Sequence, residues 1–504
     1  MPSRCTRTLA ALALAACALP ASAAIPATER QALIDLYNST HGDAWTVRAG
    51  WKTAGSFSAA GSECGWNGIT CNADKTRVTR IALRLNNLAG TLPDTLNQLT
   101  ALEYVDVSNN SLTGAIPDIG ALTALRILAV DSNQLTGAIP ELGTLVALTG
   151  FYAYDNQLTG AIPELGTLTA LQVFNVNANQ LTGTIPDISG LTALERFWAS
   201  SNQLSGAIPD ISGLTALEYF DVDANQLTGT IPDLGRLAAL KYFHAHHNQL
   251  TGPIPDIRGL AALEDFDVFD NRLTGAIPDI SRLTALQYFG VGGNRLTGAI
   301  PDISALIALE DFSVFDNQLT GPIPDISGLA VLRAFYVDHN QLTGIPPDAP
   351  AHLLSDHSAL CPNYLGKPSN TDSLWNAATG GIWSADCTDA PTYTATASTG
   401  SGGSISPASR SGAPGDKPTF TVTPDAGMAV DQVSSTCGQP TGQPALLTPG
   451  PLSSFTTAAL IADCTVTVSF KVAPVTSVPT LGQWALSVMG LLLAALGLRR
   501  AGRR

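Results

Sequence analysis

The chain has few charged residues and is short of basic ones. Asp, Glu, Lys and Arg make up 13% of its 504 residues, and 41 acidic residues outnumber 26 basic ones. The first 24 and last 20 residues hold six Arg and no acid, so their removal leaves 20 basic residues and a formal charge of −21. A chain of this charge repels nucleic acids and anionic membranes, and we expect neither as a partner.

The sequence also lacks the short motifs of common enzyme classes. It contains no GxxxxGK[ST] phosphate-binding loop, no HExxH zinc motif, no GxSxG nucleophile motif and no dinucleotide-binding fingerprint. We therefore predict a non-catalytic protein without a cofactor. Glycine and proline are abundant instead, at 46 and 32 residues, which is typical of short repeated elements separated by turns.

The N-terminal segment predicts export. A basic start, the apolar residues 9–19 and the small residues Ala21-Ser22-Ala23 are typical of a signal peptide spanning residues 1–24. An alternative is lipidation at Cys17, because Leu14-Ala15-Ala16-Cys17 resembles a bacterial lipoprotein box. Six further cysteines form three local pairs, and in an exported chain they favour disulfides over zinc. The pairs are Cys64 with Cys71, Cys361 with Cys387, and Cys437 with Cys464.

An internal repeat dominates the chain. Asparagines recur from Asn86 to Asn340, with a first step of 24 residues and 23 residues in every later step. Within each unit, apolar residues alternate over a short strand, and one unit cannot bury that face alone. Stacked coils share a core, so residues 78–350 predict a solenoid of about 12 coils. We expect each repeated Asn to hydrogen-bond the backbone of adjacent coils.

One strand position is phenylalanine in nine consecutive units, and we predict that these rings form a buried spine. Nine exposed phenylalanines at one register are not expected in a protein without a matching partner. The spine residues are Phe151, Phe174, Phe197, Phe220, Phe243, Phe266, Phe289, Phe312 and Phe335.

The run NQLTGTIP at residues 225–232 and its equivalents resemble the plant-specific leucine-rich repeat of receptor ectodomains and polygalacturonase inhibitors. The resemblance implies an α/β solenoid, a twisted superhelix in which a second short strand follows each main one. The segment from Cys64 to Cys71 resembles the disulfide cap of those proteins, which implies an N-terminal cap over residues 25–77. After the repeats, Trp375, Trp383 and two cysteines predict a C-terminal cap over residues 351–388. We predict that Thr28-Glu29-Arg30-Gln31 is a capping box that opens the first helix.

Two further segments follow the solenoid. Residues 389–475 alternate with period two in places and predict a small all-β domain or spacer with one disulfide. In residues 476–504, the motif Val478-Pro479-Thr480-Leu481 precedes a short apolar run and terminal arginines, which resembles the IPTL-type bacterial sorting signal. That resemblance implies a bacterial protein with a short transmembrane segment, a sorting peptidase as partner, and release to the cell surface or outside. The alternative is a permanent membrane anchor.

The concave face of the solenoid is the predicted binding site. Residues two and four positions before each repeated Asn point outward there, and they vary along a constant scaffold. Mixed aromatic and polar residues suit a protein or glycan ligand on another cell or in the matrix. The alternative is a structural spacer without a ligand. The site residues are Tyr152, Tyr154, Asn175, Asn177, Trp198, Asp221, Asp223, His244, His246, Asp267, Phe269, Phe315, Tyr336 and Asp338.

Three smaller features of the repeats carry hypotheses. His244 and His246 lie between coils that carry aspartates, a residue set that suits zinc, although histidines are also ordinary on a recognition face and we assign no metal. Gly290 and Gly292 predict a dent in the concave face. A file of threonines from Thr113 to Thr343 is compatible with ice or mineral binding, but the plant-type repeat has Thr at this position for packing.

Overall fold

The repeats wind into a solenoid in which every coil adds one strand to a long parallel sheet. The computed structural model describes residues 24–366, 373–388, 391–412, 416–438, 445–447, 454–458, 460 and 462–473. The chain divides into two compact units, Met1–Asp389 and Ala390–Arg504. The first holds the solenoid and its caps, as the repeat pattern and the plant-type resemblance predicted.

The main sheet of the solenoid has 14 strands among the described residues. The first two, Ile69–Cys71 and Val78–Ala82, pair antiparallel, and all later neighbours pair parallel and in register. The other strands are Tyr104–Asp106, Ile127–Ala129, Gly150–Tyr152, Val173–Asn175, Arg196–Trp198, Tyr219–Asp221, Tyr242–His244, Asp265–Asp267, Tyr288–Gly290, Asp311–Ser313, Ala334–Tyr336 and Ser358–Ala359.

A second strand follows the main one in each coil, as the plant-type resemblance implied. These second strands pair in parallel into sheets of five, two and six strands. They are Ala89–Thr91, Ser111–Gly114, Gln134–Gly137, Gln157–Gly160, Gln180–Leu181, Ser205–Ala207, Gln226–Thr228, Thr251–Gly252, Arg272–Gly275, Arg295–Gly298, Gln318–Gly321, Gln341–Gly344 and Tyr364–Leu365. The residue after the second strand's Leu-Thr pair is a glycine with positive φ, for example Gly229 at +78°, a conformation that suits a residue without Cβ.

The predicted phenylalanine spine forms the centre of the core. All nine rings are fully buried. Each ring stacks on that of the next coil, with centroids 5.3 to 5.8 Å apart, for example 5.6 Å between Phe220 and Phe243. At the C-terminal end, Trp375 contacts Phe335 at 6.0 Å and covers the last ring. The aromatic stack thus extends without a break from the middle coils into the cap.

The repeated asparagines form an amide ladder, as predicted. Asn225 is typical: its Nδ2 donates to the carbonyl oxygens of Ala199, Val222 and Asp223 at 2.9, 3.2 and 2.9 Å. Its Oδ1 accepts from the N–H of Leu204 at 2.9 Å. Buried amides are tolerated when their donors and acceptors are satisfied, and the repeated turn supplies a partner for each.

The N-terminal cap begins with helix α1, Ala27–Ser39, which starts after Pro26 and has no side-chain cap. The predicted capping box is therefore wrong, because Thr28 lies inside the first turn and Gln31 Nε2 donates to Asp35 Oδ1 at 2.8 Å. Glu29, in the same turn, is buried. Its carboxylate pairs with the Arg77 side chain and accepts from the N–H of Val78 at 2.8 Å, which ties the helix to the first main strand. The cap also contains a short hairpin, Lys52–Thr53 with Ser56–Phe57.

Short helices and disulfides complete the caps. Cys64 is bonded to Cys71 and Cys361 to Cys387, as the local pairing predicted. The remaining helices of this unit are the 3₁₀ turns Gly42–Ala44, Glu63–Gly65 and Asp94–Gln98 and the α-helix α2, Ser373–Ala378.

The described residues of the second unit form β-strands around a small core of their own. Its described strands form sheets of five and three strands, and Cys437 is bonded to Cys464 as predicted. Phe420, Val433, Val466 and Val468 are among the buried residues. The strands are Tyr393–Thr399, Gly403–Ser406, Ser409–Gly412, Thr419–Pro424, Met428–Ser435, Ala445–Leu447, Ser454–Thr456 and Cys464–Val472.

Two predicted segments lie outside the described residues. These are almost all of the predicted signal peptide, residues 1–24, and the whole sorting tail, residues 476–504. Within the described part of the chain, no helix has the length and apolar character needed to span a membrane.

Candidate functional site

Each main strand directs its middle residue into the core and its two outer residues to the opposite side. In Tyr219–Asp221, Phe220 is buried and its two neighbours are half-buried. We call the surface formed by these outward side chains, with the residue two positions after each strand, the sheet face. The fourteen predicted site residues all lie on it, and all are half-buried except Asp267, which is buried. Their binding role stays a prediction.

The sheet face contains a third column that the sequence analysis missed. It consists of the residue just before each spine position, which alternation along the strand places on the same side as the predicted columns. Alternation along the strand in the sequence was therefore sufficient to predict this column. The column includes Tyr104, Ile127, Arg196, Tyr219, Tyr242, Asp265, Tyr288 and Asp311.

Four residues of these columns form a tyrosine stack, defined by Arg196, Trp198, Tyr219 and Tyr242. The rings of Tyr219 and Tyr242 are nearly parallel, at 6°, with centroids 4.6 Å apart. The Arg196 guanidinium lies 5.0 Å from the Tyr219 centroid, and Trp198 lies 5.9 Å from it. Because each ring lies against its neighbour in the next coil, the faces point along the solenoid and the edges point outward.

Next to the stack lies a histidine–carboxylate patch, whose residues come from four coils: three in succession and one that lies two coils further along. His246 Nε2 is 2.9 Å from Asp223 Oδ2 on one side and 4.0 Å from Asp267 Oδ2 on the other. His244 Nε2 is 3.2 Å from Asp265 Oδ1. The patch is defined by Asp221, Asp223, His244, His246, Asp265, Asp267 and Asp311.

Burial and like charge make several carboxyls of the patch reluctant to ionise. Burial raises the pKa of Asp221 to about 6, and the charge of Asp223 acts in the same direction. Burial likewise raises the pKa of Asp267 to about 6, as it does for Asp311, where Asp267 and Asp265 add repulsion. For Asp223, contact with His246 outweighs burial and lowers the pKa. Three of the five carboxyls of the patch thus take up protons as the pH falls through about 6.

The pKa values of His244 and His246 are raised, whereas burial alone would lower them. Burial would lower the pKa of His244, but contact with Asp265 and the charges of Asp221 and Asp267 raise it above its ordinary value. For His246, contact with Asp223 and the charge of Asp267 also outweigh burial and raise the pKa. Nearby carboxylates therefore favour the charged form of both histidines.

Buried polar atoms without hydrogen bonds are concentrated on this face. Among the described residues, six buried side-chain nitrogen or oxygen atoms make no hydrogen bond of good geometry, and all six belong to residues of the sheet face. Two of them, His244 Nε2 and Asp265 Oδ1, lie 3.2 Å apart as an ion pair, which leaves four without a polar partner. Folded proteins satisfy nearly all such atoms, so their concentration over six coils sets this region apart from the rest of the solenoid. The six atoms are Arg196 Nε, Asp223 Oδ1, His244 Nε2, His246 Nδ1, Asp265 Oδ1 and Asp311 Oδ1.

The predicted dent at the two glycines is wrong. Gly290 and Gly292 are buried because neighbouring rings cover them. A Cβ at Gly290 would lie 2.6 Å from the Tyr288 ring, and one at Gly292 would lie 2.5 Å from the Phe315 ring. The glycines thus make room for two aromatic side chains of the sheet face instead of leaving a cavity.

The other predicted site residues lie on either side of the patch. Asn177 connects to it, since its Nδ2 donates to Asp221 Oδ2 at 3.5 Å and its Oδ1 accepts from the N–H of Ser200 at 2.7 Å. Burial raises the pKa of Tyr152 and Tyr154 in the earlier coils. The structure therefore brings the central residues together and leaves Tyr336 and Asp338 further along the array.

The structure bears on the metal hypothesis and on the ice hypothesis in different ways. Within the part of the chain that the structure describes, no three His, Cys, Asp or Glu side chains are grouped so as to hold a metal ion. The threonine file lies on the second strands and is largely exposed, but Thr320 is buried. The hydroxyl of Thr251 donates to Gly229 O at 3.1 Å, so part of the file is used within the solenoid. Ice binding stays an untested alternative to the packing explanation, and a measurement of thermal hysteresis would check it.

Two family models match parts of the chain: Leucine Rich Repeat at residues 101–121 and the IPTL-CTERM motif at residues 476–504. Receptor protein kinase WSS1 of Oryza sativa subsp. japonica is 34% identical over 103 residues, 20% of this chain and 10% of the kinase. Protein STRUBBELIG-RECEPTOR FAMILY 1 of Arabidopsis thaliana is 41% identical over 70 residues, 14% of this chain and 8% of that protein. The chain therefore spans a tenth or less of these relatives.

The fold comparison agrees with the repeat analysis. The crystal structure of a TDR receptor matches with a TM-score of 0.50 and 29% identity, over 56% of this chain and 55% of that one. The coil with its second strand, the amide ladder and the disulfide caps are all present in the described residues. The solenoid is therefore similar to the leucine-rich-repeat ectodomains of plant receptors, and the chain carries an IPTL-CTERM motif at residues 476–504.

Proposed function

We propose that the protein binds a protein ligand through the sheet face and performs no chemistry on it. Four buried atoms without a polar partner carry this proposal, because a ligand that supplies the missing donors and acceptors would remove their cost. They are Arg196 Nε, Asp223 Oδ1, His246 Nδ1 and Asp311 Oδ1. The partly exposed Trp, Tyr and Arg side chains of the tyrosine stack are residue types that anchor protein interfaces. Similarity to receptor kinases over the repeats supports the same role.

A protein ligand suits this face better than a glycan. Sugars bind aromatic residues mainly through open ring faces, but the faces of Tyr219 and Tyr242 are used against each other. What the stack offers is ring edges and hydroxyls, and the Tyr242 hydroxyl already donates to Glu264 Oε2 at 2.9 Å. A peptide or protein surface can pack on such edges and hydrogen-bond the neighbouring carboxylates.

Parallel screens of the purified protein against extracellular proteins and a glycan array test this function. We expect a protein partner, and we expect Trp198→Ala with Tyr242→Ala to weaken its binding at least tenfold. The matched control is Gln226→Ala with Thr228→Ala on an exposed second strand, which should stay within about twofold of wild type. A partner that binds both pairs of variants equally, only glycan partners, or no partner at all would overturn the proposal.

We propose further that the protein is exported and that its tail directs it to the cell surface or outside. The IPTL-CTERM match over residues 476–504 supports this, together with the signal-peptide pattern of residues 1–24. Replacing Val478-Pro479-Thr480-Leu481 with alanines should leave the uncleaved chain in the membrane fraction of the source cell. Unchanged size and location of the variant would show that the motif has no sorting role.

A further inference from the structure

The two imidazoles of the histidine–carboxylate patch are held in fixed positions between coils. The His246 ring stacks on Phe269, with centroids 4.7 Å apart and an interplanar angle of 18°. Its side chain is 19% exposed, and Nε2 approaches carboxylates of the preceding and the following coil. His244 lies on the same strand, 6.4 Å from His246 between ring centroids. Both rings are held by contacts with neighbouring side chains, so each change in their protonation alters the charge of a fixed surface.

Charged and titratable groups from three coils surround these imidazoles. They are Asp221 and Asp223 of the preceding coil, Tyr242 and His247 of the same coil, and Asp265 and Asp267 of the following coil. His247 is exposed and pairs with Asp270, so it belongs to a separate contact. The balance around the two rings is therefore strongly acidic.

Acidification changes the charge of this patch in one direction only. As the pH falls through the raised pKa values of His244 and His246, the patch gains positive charge. As it falls further, through about 6, Asp221, Asp267 and Asp311 take up protons. The patch is therefore more negative at about pH 8 than at about pH 5.5, where both imidazoles are charged and Asp221, Asp267 and Asp311 are largely protonated.

The chemistry of the patch also indicates what it would bind. Oδ1 of Asp223 and Oδ1 of Asp311 lie buried without a donor, and the rest of the sheet face in these coils offers aromatic edges. A Lys or Arg side chain supplies several donors, a positive charge and an apolar stem that packs along rings. An acidic or neutral partner would leave the carboxylates uncompensated.

We propose that the histidine–carboxylate patch docks basic side chains of a protein ligand near neutral pH and releases them on acidification. This rests on the proposed function, since it specifies the partner and the regulation of the same face. The device needs no conformational change. Protonation of the carboxyls removes the negative charge that attracts the ligand. The charged imidazolium groups of His244 and His246 then compete with the ligand for the remaining carboxylates.

The first test measures the histidines directly and needs no ligand. The purified full chain, labelled at the histidine Cε1 carbons, is titrated by NMR, with His244→Gln and His246→Gln used for assignment. Both midpoints should lie above 6.5, and Asp267→Asn should lower that of His246 while leaving that of exposed His352 unchanged. Midpoints at or below 6.5, or no response to Asp267→Asn, would overturn the switch.

The second test measures binding of a labelled hexalysine peptide, whose amines stay charged over the whole range. At fixed ionic strength we expect about tenfold tighter binding at about pH 8 than at about pH 5.5. In His244→Gln with His246→Gln the ratio should fall to about threefold, because the carboxyls still titrate. The control, exposed His339→Gln with His352→Gln, should keep the wild-type ratio.

Two double variants that remove the same amount of charge test whether hexalysine binds at the patch. Asp265→Asn with Asp267→Asn should weaken hexalysine binding at about pH 8 at least fivefold. Asp187→Asn with Asp210→Asn, two fully exposed turn residues, removes the same charge and should have an effect below twofold. Equal effects of the two pairs would show attraction to net charge alone and overturn the docking site.

The outcomes separate this proposal from the proposed function. If the hexalysine ratio is unaffected by the histidine variants, the pH device is wrong, while a protein partner lost on Trp198→Ala with Tyr242→Ala still supports sheet-face binding. If that partner binds those variants normally, sheet-face recognition fails even where the histidines titrate as expected.

Discussion

Replacing one asparagine of the amide ladder should cost less than its number of hydrogen bonds indicates. Asn225→Ala removes three donated bonds and one accepted bond. At about 1 kcal/mol for each bond, simple addition gives a loss of about 4 kcal/mol in the free energy of unfolding. The structure shows, however, that only one of the four partners is left without another.

The carbonyls of the ladder are shared between rungs. Ala199 O also accepts from Asn202 Nδ2 at 3.3 Å, Val222 O from Asn248 Nδ2 at 3.0 Å, and Asp223 O from the N–H of Ser201 at 3.0 Å. Only the buried N–H of Leu204 then loses its acceptor. One orphaned donor costs about 1–3 kcal/mol, so we expect Asn225→Ala to destabilise the protein by about 2 kcal/mol.

Sharing also predicts which pairs of substitutions are coupled. Asn225→Ala with Asn248→Ala removes both donors of Val222 O, so the double variant should lose about 1–2 kcal/mol more than the sum of the single variants. Asn225 and Asn294 donate to different carbonyl oxygens, so the stability losses of Asn225→Ala and Asn294→Ala should add within about 0.5 kcal/mol.

Urea unfolding of the purified protein measures these free energies. Exposed Gln226→Ala, one residue from Asn225, is the control and should change stability by less than about 0.5 kcal/mol. The reasoning is refuted if the neighbouring pair shows no more coupling than the distant pair, or if Asn225→Ala alone costs the full sum of its bonds.

Three further outcomes are expected in the same assay. Phe243→Ala should cost about 4 kcal/mol, because a fully buried ring stacked on both sides leaves a cavity, and a loss below about 2 kcal/mol would contradict the spine. Cys64→Ser with Cys71→Ser should cost about 2 kcal/mol, since the closed loop is short, and an unchanged midpoint would refute this. Asp267→Asn should stabilise the protein by about 2 kcal/mol at about pH 8, and this gain should shrink as the pH falls through about 6, where wild type takes up the proton; a pH-independent effect would contradict the raised pKa.

The periodic parts of the structure could be predicted because each position meets the same environment in every coil. Phe220 and Asn225 recur at fixed register, so the pattern itself shows that one is buried and the other satisfied. The disulfides followed from local spacing. The columns predicted for the sheet face needed only alternation along a strand, and the missed column of Tyr219 and Asp265 needed nothing more.

The features that were missed depend on contacts between residues far apart in the chain or on side-chain rotamers. Thr28 and Gln31 matched a capping box, but the helix begins one residue earlier, where Glu29 ties it to Arg77, 48 residues away. The rings of Tyr288 and Phe315 fold over Gly290 and Gly292, which no pattern of residue types encodes. The pKa shifts of the central aspartates depend on burial and on charges from neighbouring coils, so they also needed the coordinates.

The shared carbonyls have a consequence for how such a gene can change length. Each rung contacts its own coil and the one before, in the same way throughout the array. Loss or duplication of a 23-residue block therefore creates a junction chemically identical to those already present. Recombination between repeats can add or remove whole coils without designing a new contact, while point substitution alters the outward columns independently. The length of the solenoid and the binding specificity of its sheet face can thus evolve as separate traits.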